Sequence, residues 1–150
     1  MLRSRRCADD EGSASLEFVT AGMILLLPLV YLVLVVSAIQ AGSLAIEGAA
    51  RQAARVFVQS ADIADAQASS ATAAQFALAD HGIPAADAQI SVSCRPNPAA
   101  CLTRRGFVTV NISLTVPLPL VPPMVNGNFP LTIPLHATAT QQVSRFWGSG

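Results

Sequence analysis

Charge is scarce in this chain. Only 12% of its 150 residues are Asp, Glu, Lys or Arg, and the formal net charge is zero. So little charge argues against nucleic acid as a partner, because tracking a phosphate backbone needs a basic face. Cysteine is scarce too, with Cys7, Cys94 and Cys101 the only three. Cys94 and Cys101 have no His or Cys neighbours at ligand spacing, so they make a poor zinc site, and no metal is expected. The familiar catalytic signatures are missing: there is no Gly-rich phosphate loop, no HExxH and no GxSxG. His81 and His136 fall in different predicted elements without acidic partners, one at a helix end and one on a strand surface. Asp80 beside His81 reads as helix-end polarity rather than an acid/base pair. No catalytic residue, cofactor or small-molecule substrate is expected, and no internal repeat is visible.

What the chain has instead is one long apolar run. Phe18 to Ile39 is about 22 residues without a charge, long enough at a helical rise of about 1.5 Å per residue to span a bilayer core of roughly 30 Å. A helix in a soluble core is not normally apolar on every face over that length. Residues 1–12 form a polar leader carrying Arg3, Arg5 and Arg6, which favours a cytoplasmic N-terminus. The transmembrane segment is expected at about 16–39. A rival reading is a secretory signal cut at the small residues Val36-Ser37-Ala38, releasing a soluble binding domain after Ala38. A small anchored enzyme is a further rival, which the missing paired catalytic residues count against.

The helical pattern continues beyond the run. Leu44, Ala50, Ala53, Ala54 and Phe57 can share one stripe, and Glu47 and Arg51 form a favourable i,i+4 pair. One helix is therefore expected over 13–58, roughly 65 Å long, with an amphipathic C-terminal half and with Pro28 bending it or removing a hydrogen bond. Ser60-Ala61-Asp62 marks a break. Asp65 to His81 reads as a second, Ala-rich helix, with Gly82 at the C′ position and Pro84 preventing continuation.

Residues 59–150 are expected to form an extracytoplasmic α+β domain. Ile90, Val92 and Cys94 alternate with serines; Val108 to Val116 and Leu131 to Ala139 alternate with Thr, Ser, Asn and His. Period two predicts an antiparallel sheet of about three strands with one buried face, covered by the helices. The Pro-rich segment 117–124 and the Asn126-Gly127 turn join the longer strands. Cys94 and Cys101 bracket a short Pro/Asn loop and suit a disulfide in an oxidising compartment; the alternative is two unpaired thiols.

Glu17 stands at the head of the apolar run, five residues after Gly12. An acid at the edge of a membrane span usually has a partner, though it also suits a helix N-terminus on its own. The stretch Gly12-Ser13-Ala14-Ser15-Leu16-Glu17-Phe18, followed by an apolar helix, resembles the processing region of type IV prepilins, with Gly before the scissile bond and Glu at the fifth mature position. With the segment Glu47 to Arg55 and the Pro-rich loop before the last strand, the whole chain resembles the TadE-like pilins of tight-adherence (Tad) pili.

That resemblance implies a structural minor pilin or pseudopilin in a bacterial cytoplasmic membrane, serving adhesion or secretion. A prepilin peptidase would cut after Gly12 and leave Ser13 as the new N-terminus. Glu17 would then meet an N-terminal ammonium of a neighbouring subunit. The implied partners are the membrane, other pilin subunits, the Tad assembly machinery and the peptidase. An uncleaved, membrane-anchored assembly factor is the alternative within the same family. Ser13 departs from the apolar or aromatic first residue common in major pilins.

Overall fold

The computed structural model describes residues 13–120 and 132–148. The elements follow in chain order as α1 (Ser13–Gln59), α2 (Ile63–Ala79), a short 3-10 turn (Ala85–Asp87), β1 (Ala88–Arg95), β2 (Phe107–Pro117) and β3 (Thr132–Gln142). The architecture is α+β: a long N-terminal apolar helix, a second helix and a three-stranded antiparallel sheet. The chain divides into two compact units, Met1–Ser37 and Ala38–Gly150.

In the first unit, α1 runs unbroken through Pro28. Its large apolar side chains from Leu16 to Val36 are exposed, Val35 apart, with Phe18 at 80% and Leu25 at 75%. The hydroxyl of Thr20 donates to the carbonyl of Leu16 at 2.7 Å, so the helix satisfies this polar group itself. Among the described residues α1 is one helix long and apolar enough to cross a membrane.

In the second unit, the remainder of α1 buries a stripe of small residues. Ala45, Ile46, Ala49, Ala50, Ala53, Ala54 and Phe57 are all within 1% of full burial. The spacing of one and four residues keeps them on a single face of a 3.6-residue helix. Alanine is needed there because the sheet and α2 come close. They form one core with Ala74 and Leu78 of α2 and with Val110, Ile112, Leu114, Ala137 and Ala139 of the sheet. Gly42 extends the requirement: a Cβ at that position would lie 2.8 Å from Leu135 Cδ1 and 2.9 Å from Val116 Cγ2. Leu44 does not join the expected stripe. It is 64% exposed, because it falls one position outside the row that starts at Ala45. Glu47 and Arg51 form the expected surface ion pair, at 3.1 Å.

The helix break is where the residues placed it. Asp62 is the N-cap of α2, and its carboxylate accepts a hydrogen bond from the Asp65 N–H at 2.8 Å. The regular helix is Ile63–Ala79 rather than 65–81, since the last turn tightens before the chain leaves. The Gly82 N–H donates to Ala79 and the Ile83 N–H to Leu78, at 2.8 and 3.1 Å. Gly82 adopts φ +69, the left-handed conformation this helix stop demands of its C′ residue. Phe76 and Leu78, the large residues of α2, part company: Leu78 is buried and Phe76 is 69% exposed.

The sheet order is β1-β2-β3, with both pairings antiparallel. Val108, Val110, Ile112 and Leu114 face the helices. The opposite face is a row of hydroxyls and amides. Thr138 donates to Asn111 Oδ1 at 2.9 Å, and the hydroxyls of Thr109 and Thr140 lie 2.9 Å apart. Leu118 is half-buried and Leu120 exposed, while Val121, Met124, the Asn126-Gly127 turn and Leu131 fall outside the described residues.

Candidate functional site

Two places carry the residues singled out by sequence. The first is the start of α1. Ser13 is its first residue, and Glu17 follows one helical turn later, exposed. The rise of about 1.5 Å per residue stacks positions 13 and 17 on one side of the helix. Gly12 lies outside the described residues. Immediately beyond Glu17 the exposed apolar surface begins at Phe18. At the edge of a membrane span a carboxylate would resist entry into hydrocarbon, where its cost at a bilayer centre is about 2.5–3.5 kcal/mol.

The second place is the far end of the sheet, where Cys94 and Cys101 are joined in a disulfide with Cα atoms 5.1 Å apart. The bridge closes a short loop containing the cis Arg95-Pro96 bond. Cys94 and Leu102 then pack with Phe57, Ala66, Val108 and Val143 in a second small core. Trp147 packs against that core and donates its indole N–H to the Ser60 carbonyl at 3.1 Å. The segment after β3 is thereby tied to the end of α1. Sequence reading did not single out Trp147, Leu102 or Val143, because they stand outside any periodic run.

The same end carries a feature that spacing alone did not flag. Arg95 ends β1, in register with Phe107 and through it with Gln142. Arg104 Nε donates to the Trp147 carbonyl at 3.0 Å. The Arg105 N–H donates to Val143 at 3.2 Å, and the Arg145 guanidinium lies 4.6 Å from the centre of the Phe146 ring. All four arginines are exposed, and none forms an ion pair among the described residues. The signal in the sequence is the absence of any Asp or Glu after Asp87.

The histidines are not brought together into a site. His81 follows α2 and lines a cleft of about 260 Å³ with Ala38, Gly42, Val116 and Asp87. His136 stands on the exposed face of β3, opposite Ser113. Among the described residues no three His, Cys, Asp or Glu side chains converge where they could hold a metal. No protein-family model, curated protein or solved structure matches the chain.

Proposed function

We propose that the chain is a structural, pilin-like subunit of the TadE type. Its apolar α1 segment is anchored in the bacterial cytoplasmic membrane, with the N-terminus cytoplasmic and the α+β domain outside. The observation that carries this reading is the uncovered apolar surface of α1 from Phe18 to Val36, headed by the single carboxylate Glu17. An exposed apolar surface of that extent calls for lipid or for like helices. The subunit can use both in turn, lying first in the membrane and then in the helical core of a Tad-type pilus. A prepilin peptidase cuts after Gly12, and the freed ammonium of Ser13 pairs with Glu17 of a neighbour. In a medium of low dielectric, leaving either charge alone is far costlier than pairing them, so the pair fixes the axial register of subunits. The disulfide between Cys94 and Cys101 suits an oxidising compartment and supports the outward placement of the domain.

Release after Ala38 is the less favoured reading. Ala38 lies inside α1 and lines the cleft with Val116, so the small-residue motif is held in regular helix rather than in an extended segment. The test of the pilin reading is Glu17→Ala. The variant is expected to fractionate with membranes as the parent does and to fail in assembly into pili. Normal piliation by Glu17→Ala contradicts the pairing.

A further inference from the structure

The second unit is electrically polarised. Every acidic residue in the chain precedes residue 88, and four of its nine basic residues, Arg95, Arg104, Arg105 and Arg145, follow it. The fold gathers these four at the end of the sheet where Trp147 meets Ser60. Gly106 lets the strand connection close tightly there: a Cβ at this position would lie 2.7 Å from Thr103 Oγ1. Asp62 and Asp65 begin α2 near this end, where the four arginines outnumber them. Asp80, the C-cap of α2, and Asp87, which lines the cleft with Ala38, Ile83, Pro84 and Val116, lie at the opposite end. Neither Asp80 nor Asp87 forms an ion pair among the described residues.

We propose that the arginine-bearing end of one copy docks on the Asp80/Asp87 end of a second copy, in a head-to-tail contact between second units. The occupant follows from charge complementarity: the two ends are opposite in sign and belong to the same chain. A contact between two different patches is heterologous, and when it does not close into a ring it propagates as a filament. Complementary charges at such a contact set orientation and reject like-to-like encounters. The apolar cleft gives the acidic end a surface that the exposed Phe146, stacked under Arg145, can cover. The inference rests on reading the chain as an assembling subunit and names the surfaces through which its outer domains meet.

The chain contains no lysine, which makes a direct test available. Arg105→Lys or Arg145→Lys keeps the charge and adds a single side-chain amine for carbodiimide coupling to a carboxylate. Full-length protein, half of it 15N-labelled, is held in detergent micelles at low salt, where copies are not confined side by side in one bilayer, and the crosslinked peptides are analysed by mass. The expected result is mixed-isotope peptides joining position 105 or 145 to Asp80 or Asp87. Their yield falls to background in about 1 M salt, where the screening length shrinks to about 3 Å.

Crosslinks confined to one copy, to Asp62 or Asp65, overturn the contact, as does an absence of crosslinks. The N-terminal residue of the protein purified from membranes separates this failure from that of the pilin reading. A start at Ser13 without mixed-isotope crosslinks overturns the contact alone. Mixed-isotope crosslinks with an intact Met1 support the contact and overturn processing.

Discussion

The two parts of α1 obey different rules. From Leu16 to Val36 its large side chains, Val35 apart, are exposed. From Ala45 to Phe57 a narrow row is buried and the rest of the surface is polar, with Glu47, Arg51, Gln52 and Arg55 outward. The first part is built of Leu, Val, Ile and Phe; the buried row of the second is mostly Ala. Large side chains on all sides suit a fluid apolar surrounding that fits any shape. Small ones suit a fixed neighbour that must come close, here β2, β3 and α2. The difference teaches that apolar composition by itself does not mark a core, and that residue size and periodicity do.

Substitutions can break this comparison. The largest effect on the folded unit is expected from Phe57→Ala, which empties the second core and costs about 3–5 kcal/mol, read as a drop in thermal midpoint. Leu25→Arg is the counterpart in the exposed part. It is expected to leave the second unit folded while opposing insertion by about 2.5–3.5 kcal/mol, read as loss from the carbonate-resistant membrane fraction. Opening the Cys94–Cys101 bridge with Cys101→Ser removes a loop constraint worth about 2.5 kcal/mol, and the parent thiols are expected to resist alkylation until reduced. Gly22→Ala, with nothing within 4 Å of its Cβ position, is expected to keep the helix-propensity gain of about 1 kcal/mol, whereas Gly42→Ala also forces the ends of Leu135 and Val116 to shift, a cost set against the same gain. Equal effects at Gly42 and Gly22 would erase the distinction between the two parts.

The elements were legible where periodicity was long. The apolar run, the Asp62 break, the Gly82 stop and the three alternating strands all came from spacing and from residues with narrow backbone demands. The fold class followed from the same signals; for Cys94 and Cys101 the sequence allowed a disulfide or two unpaired thiols, and the structure joins them. The facing of single residues was less legible. Leu44 is large and apolar yet points outward, because a helix with small neighbours on every side offers more than one candidate row. The second core was illegible because Leu102, Val143 and Trp147 sit in connections, where tertiary contacts rather than local pattern decide burial. The arginine cluster escaped spacing rules because its members are brought together only by the sheet register. At the candidate processing site, Ser13 and Glu17 could be placed on one helix from sequence, since four residues make about one turn.

The claim that ties these parts together is that the chain is cut after Gly12 and keeps its apolar helix. It is tested most directly by the N-terminal sequence and intact mass of the protein purified from membranes. The account predicts a start at Ser13 with the rest of the chain retained. A start at Ile39 would contradict it, since the apolar helix and Glu17 would be gone, and an intact Met1 would contradict processing while leaving an anchored protein.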